Sequence, residues 1–345
     1  METLHGAILA AARAALPRLR YSAPMQSILS VTVPFFALVL CGYVAARARW
    51  LPESAIPGLN GFVLFFALPC MLYRFGAALP VRQLLDPVVI AVYVVTSLAV
   101  VFGTIAMTRS ARLQARDAAF GALTAAFPNT GFMGVPLLAT LLGAPAAGPV
   151  ITTVLVDLLI TSSLCIALAH PGERGGTSLV ADIATSLRGA LRNPLPWAIA
   201  LGMAASLLQV TLPGPVDTVV KMLADAATPV ALFTIGTVLW RAGQHAHGRT
   251  PVRLYLPLAL IKLLAHPLLV LAVGALAIAL GAPLSPFTLS VLVLAAALPS
   301  ASSVSLLAER YGADNGRIAR AIVASTVLAF VSFTLIASAA QAVLG

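Results

Sequence analysis

Long apolar runs alternate with short polar joints along the whole chain. A spanning helix needs roughly 20 mostly apolar residues, and ten stretches meet that length, near 27–46, 55–75, 86–107, 117–140, 146–169, 195–213, 218–240, 254–281, 286–308 and 317–343. The pattern predicts an all-α integral membrane protein with ten transmembrane helices. Two of the runs are oddly built. The fourth, "AAFPNTGFMGVPLLATLLG" from Ala125, carries Pro128, Asn129, Thr130 and Gly131 in its middle, and the ninth, "AALPSASSVS" from Ala296, is centred on Pro299. Proline removes a helical donor and its ring clashes with the preceding turn, so both spans are expected to be broken there.

Composition fixes the class, because 60% hydrophobic and 9% charged residues exclude a soluble domain of 345 residues. The net charge of +10 matters through its placement, which is not that of a nucleic-acid binder. Arg47, Arg49, Arg109, Arg112, Arg116, Arg174, Arg188, Arg192, Arg241, Arg249 and Arg310 fall in the odd-numbered joints, whereas the other side holds Arg74, Arg82 and Lys221. The positive-inside rule makes the arginine-rich side cytoplasmic. Both termini then face outward across a bacterial-type inner membrane. Segment 1–26, with Arg13, Arg18 and Arg20 among alanines, lacks the order of a signal peptide. It reads as peripheral, either because Met25 is the natural start or because it forms an amphipathic surface helix.

Catalytic chemistry is thin. Cys41, Cys70 and Cys165 have no metal or redox spacing, and His245 and His247 form a lone His-x-His pair in a joint. No nucleophile triad or phosphate loop is present, so no enzyme, cofactor or metal is expected.

Internal similarity organises the rest. "ALPCMLYRFGAAL" from Ala67 aligns with "ATPVALFTIGTVL" from Ala227, and "TTVLVDLLIT" from Thr152 with "STVLAFVSFT" from Ser325. The chain therefore reads as five spans twice, 27–169 and 195–345, joined by a cytoplasmic loop 170–194. An odd number of spans per repeat inverts the second copy in the membrane, an architecture of secondary transporters. Breaks at Pro128 and Pro299 would then bring the two interrupted helices together at mid-membrane. Irregular backbone is tolerated there only where it is buried in protein or lines a wet cavity, and half-helix N-termini offer free N–H groups to an anion.

These residues also resemble a known family, the auxin efflux carriers, which includes plant auxin carriers and bacterial malonate and malate carriers. "FPNTGFMGVPLL" from Phe127 is similar to its fourth-helix signature; "RNPLPWAIALG" from Arg192, "TPVALFTIG" from Thr228 and "ALPSASSVSLLAERYG" from Ala297 fit its later helices. The resemblance implies a scaffold from the first, second, sixth and seventh spans, a transport domain from the others, and elevator-like or rocking alternating access. It also implies that the broken fourth and ninth helices cross at mid-membrane at the site, and it ties Asn129 to substrate. Where many relatives carry an amide after the ninth-helix proline, this chain has Ser300, Ser302 and Ser303.

The polar residues inside spans are the candidate chemistry. Pro128, Asn129, Thr130, Gly131, Pro299, Ser300, Ser302 and Ser303 are expected to line the substrate site, although Asn129 and Thr130 could simply satisfy freed carbonyls. Gly131 and Gly134 are expected to permit close packing and unusual dihedrals, and Pro69 and Pro229 to kink their helices. Asp157 lies deep in the fifth span, where a charge costs roughly 2.5–3.5 kcal/mol on insertion scales. It is either a proton-coupling carboxylate or a hydrogen-bonded structural aspartate. Lys262 and His266 share a helix face in the eighth span; Lys262 can pair with Asp157, attract a carboxylate or snorkel. Lys221 and Asp225 read as a local ion pair.

The expected function is secondary transport of a small organic anion, a mono- or dicarboxylate such as malonate, linked to protons. Membrane lipid is the other partner, and the scaffold helices offer a homodimer surface. Two alternatives stay open: a sodium-coupled organic anion symporter of bile-acid-transporter-like fold, with serine hydroxyls and freed carbonyls as ligands, and a non-transporting membrane receptor or assembly subunit.

Overall fold

The computed structural model describes residues 25–108, 113–169, 179–245 and 250–344. Segment 1–24, His247, Arg109, Arg112, Arg174 and Arg249 lie outside the described residues. Among the described residues, besides a single turn at Val81–Leu84, thirteen helices follow one another: α1 Met25–Arg47, α2 Glu53–Ala78, α3 Pro87–Thr108, α4 Ala115–Ala126, α5 Thr130–Leu142, α6 Ala144–Ala169, α7 Leu179–Ala190, α8 Pro194–Leu208, α9 Gly214–His245, α10 Val252–Ala279, α11 Pro286–Ala296, α12 Ser303–Arg310 and α13 Asn315–Leu344. Seven apolar helical stretches, in α1, α2, α3, α6, α9, α10 and α13, are long enough to cross a membrane, and α5, α8 and α11 are shorter apolar helices. Among the described residues the single isolated β-bridge joins Pro128 to Ser300.

The fourth apolar run is thus α4 and α5, and the ninth is α11 and α12, each pair separated by a few non-helical residues around its proline. Pro229 does not interrupt α9. One expectation needs correction: the joint at 170–194 is not wholly a loop, because Leu179–Ala190 is helical and packs against the last turns of α6. Its sequence explains this, since Ile183 and Leu187 are four apart and share a face.

Four helices contain a widened π-turn, at Val63–Ala67, Thr130–Gly134, Asp157–Thr161 and Ile261–Ala265. Three of these end two residues before a proline: Pro69, Pro136 and Pro267. The missing donor and the ring's clash with the i−4 carbonyl are relieved there by one wide turn. No proline follows the turn at Asp157 so closely, which sets that one apart.

Two groups of helices form. In the first, α1 packs on α9 and α2 on α8, with α2 also touching α9. Glycines set both contacts: a Cβ on Gly42 would overlap the Phe233 carbonyl, one on Gly236 the Val39 carbonyl and one on Gly202 the Tyr73 carbonyl, while one on Gly76 would press tightly on the backbone of the facing helix. Small residues of this kind let backbones approach closely in membranes. Arg74 on α2 holds Asp217 in the first turn of α9 at 2.6 Å. The second group gathers α3, α4, α6, α10, α11 and α13 around the interrupted helices. Leu40, Phe65, Val95, Leu201, Leu268 and Val327 are exposed on the outside, as lipid contact requires.

Candidate functional site

The two interruptions meet. Asn129 N–H donates to the Pro299 carbonyl at 2.8 Å and Ala301 N–H to the Phe127 carbonyl at 2.9 Å, so Pro128 and Ser300 sit opposite each other in an antiparallel bridge. Each break frees backbone groups that the surroundings then satisfy. Pro128 deprives the Thr124 carbonyl of its helical donor, and the Ser300 hydroxyl replaces it at 2.7 Å. Ser300 N–H donates to Ser325 Oγ at 3.2 Å, which in turn donates to the Ile322 carbonyl. The Ala296 carbonyl, left by that diversion, receives the Lys262 ammonium.

Donors, by contrast, are left over. Asn129 adopts φ −79° and ψ 51°, an inverse γ-turn closed by Thr130 N–H on the Pro128 carbonyl. The turn lets α5 start at once and leaves the Gly131 and Phe132 N–H groups without a partner among the described residues. The buried Thr130 hydroxyl has none either, nor has the Asn129 side-chain amide, although Asn129 is 2% exposed. At the start of α12 the N–H groups of Ser302, its cap residue, and Ser303 are likewise without a partner among the described residues.

A cavity of about 50 Å³ opens at this point, large enough to admit water. Its wall takes Pro128, Asn129, Thr130 and Gly131 from one break, Ala301 and Ser303 from the other, Val154 and Leu158 from α6, Leu64 from α2, and Asn193 and Leu195 at the start of α8. Helices of both groups therefore face it. Pro299, Ser300 and Ser302 are not in the wall: Pro299 and Ser300 are occupied in joining the breaks, and Ser302 is a buried residue just before α12. Gly131 is corrected too, since a Cβ there would meet nothing within 4 Å, whereas one on Gly134 would strike the Leu298 side chain. Of these two, Gly134 is the packing glycine.

Asp157, Lys262 and His266 form a separate buried cluster, each 0% exposed. Leu158 faces the cavity while the adjacent Asp157 turns to α3, where the Tyr93 hydroxyl donates to it at 2.9 Å; Thr161 donates to its other oxygen at 3.2 Å. Lys262 makes no ion pair with Asp157, although their charges are close enough to interact. Its ammonium is held by the Ala296 carbonyl and by His266 Nδ1 at 3.2 Å. With Nδ1 accepting, the ring proton sits on Nε2, which is buried without a partner. Lys262 does not snorkel. Lys221 and Asp225 pair at 3.3 Å on the exposed face of α9.

Sequence reasoning missed Tyr93, Thr124, Ser325 and Asn193. Asn193 alone carried a local signal, an asparagine followed by proline at a helix start; its Oδ1 accepts from Leu195 N–H at 3.0 Å.

A family model described as membrane transport protein matches residues 27–337. A protein of Rhizobium meliloti (strain 1021) named "Putative malonate transporter" is 29% identical over 319 residues, covering 90% of this chain and 95% of that one. "Uncharacterized transporter YfdV" of Escherichia coli (strain K12) is 26% identical over 87% of this chain and 93% of its own. An "Uncharacterized transporter" of Methanothermobacter thermautotrophicus is 26% identical over 90% of this chain and 96% of its own.

Proposed function

Because the chain belongs to the membrane transport protein family, the auxin-efflux-carrier-like family that its motifs resemble, and is a multi-pass membrane protein, we propose that it is a secondary transporter of small organic anions. The substrate class is mono- or dicarboxylates such as malonate. One observation carries the reading: the Gly131, Phe132 and Ser303 N–H groups, the Asn129 amide and the Thr130 hydroxyl are unpaired donors at one cavity. Donors at a helix N-terminus, with no carboxylate among the residues that line the cavity, suit an anion. The name of the Rhizobium relative points to the same class.

The ten apolar runs are then two inverted five-helix repeats whose fourth and ninth members cross at mid-membrane. The packing supports this, since Gly42 stands to Gly202 in the sequence as Gly76 stands to Gly236, and each contact joins one helix of either repeat. The group α1, α2, α8 and α9 is the scaffold, with a surface for a homodimer; the rest moves against it by an elevator-like or rocking step, carrying the cavity between the two faces. The arginine-rich ends lie in the cytoplasm of a bacterial-type inner membrane, and both termini lie outside.

Asp157 is the group that links transport to protons. It stands on the same turn of α6 as Leu158 in the cavity wall, so a change in its hydrogen bonds is felt at the substrate. The sodium alternative is disfavoured because the freed carbonyl best placed to ligate a cation already holds Lys262.

Uptake of labelled malonate into sodium-free proteoliposomes, with and without an imposed pH gradient, tests the reading. Gradient-stimulated uptake is expected. Absence of uptake with and without sodium would remove malonate, and uptake only with sodium would replace the proton.

A further inference from the structure

The Lys262 ammonium occupies a pocket of negative character that the interrupted helix creates. Ser300 N–H, which would close the last turn of α11 on the Ala296 carbonyl, goes instead to Ser325 Oγ. That leaves the Ala296 carbonyl open at a helix C-terminus, which carries about half a negative charge. The Asp157 carboxylate, anchored by Tyr93 from α3 and Thr161 from its own helix, makes no ion pair with Lys262 but is near enough for its charge to act on the ammonium. His266 Nδ1 is the second acceptor of the ammonium, after the Ala296 carbonyl. A carboxylate and a helix C-terminus buried together require a positive charge, and the wide turn Ile261–Ala265 presents Lys262 to supply it.

We propose that this is a monovalent-cation site whose resident ion is tethered to the chain, and that shortening Lys262 opens it to a small primary alkylammonium ion. An ammonium group fits better than sodium, because one of the acceptors is an imidazole nitrogen whereas hard metal cations favour oxygen ligands. Lys262→Ala deletes three methylenes and the ammonium, the size of n-propylammonium. The tether makes co-transport of a soluble cation unnecessary, and the site is defined without reference to what the cavity carries.

The test is thermal unfolding of detergent-purified protein in chloride salts of equal ionic strength. Wild type is expected to respond alike to n-propylammonium, sodium and choline. Lys262→Ala is expected to melt lower in choline and to regain about 2–4 °C in n-propylammonium, saturably, with a smaller gain in sodium. Lys262→Met, which restores volume but not charge, is expected to melt lower and not to respond, and adding Asp157→Asn to Lys262→Ala is expected to weaken the gain. Equal melting of Lys262→Ala in propylammonium and choline would overturn the proposal, as would a Lys262→Met protein as stable as wild type. If Lys262→Ala is not recovered folded in choline, the same salts are compared during solubilisation. A monodisperse protein obtained only with propylammonium supports the site; no difference overturns it.

Discussion

The Ser300 hydroxyl donates to the Thr124 carbonyl at 2.7 Å, from one interrupted helix to the other. It replaces the donor that Pro128 lacks, and both residues are fully buried. Ser300→Ala leaves that carbonyl unsatisfied, which costs about 1–3 kcal/mol. The expected outcome is a lower melting temperature with the substrate KM nearly unchanged, whereas Ser303→Ala, in the cavity wall, should raise KM and leave the melt alone. Paired melting and uptake curves check this, and the reverse pattern would exchange the roles of the two serines.

Asn129 is the opposite case. Its amide has no partner among the described residues, so Asn129→Ala should keep the fold yet lose on the order of tenfold in substrate affinity, the value of one hydrogen bond of about 1.4 kcal/mol. Ligand-induced stabilisation of the purified protein reads the affinity directly. Full affinity in the variant would take Asn129 out of the site.

For the buried carboxylate, Asp157→Asn is expected to abolish stimulation by a pH gradient while exchange of internal for external substrate continues. Tyr93→Phe keeps the ring and removes one donor to Asp157, so an intermediate gradient response is expected. Counterflow and gradient-driven uptake measured on the same vesicles separate the two. Unchanged gradient dependence in Asp157→Asn would make the carboxylate structural.

Two glycines should behave differently under the same change. Gly236→Ala forces a methyl into the Val39 carbonyl and is expected to cost at least the 1–3 kcal/mol typical of overpacking. Gly131→Ala meets open space and should be stable, but its methyl enters the cavity and should slow uptake. Lys221→Ala breaks an exposed pair and should change stability by less than about 0.5 kcal/mol.

The chain announced its apolar runs and the breaks at Pro128 and Pro299, because length and a missing donor are local properties. It also announced Asn129 and Asp157, since polar groups among apolar ones stand out. The partners of those groups were illegible: Tyr93 reads as an apolar-run tyrosine, and Ser325 as an ordinary small residue in a span. Ser300 looked like a ligand because its type fits one, yet the residue opposite decides which way a hydroxyl is used. The wide turns were half legible, as the prolines at Pro69, Pro136 and Pro267 were visible but the helix's response to them was not.

The bridge between Pro128 and Ser300 rests on main-chain atoms alone. No side-chain substitution at Asn129, Gly131 or Ser303 removes an N–H or a carbonyl from it. The lining of the cavity is therefore free to be rewritten, for a longer acid or a differently shaped one, while the pivot on which it is mounted stays whole.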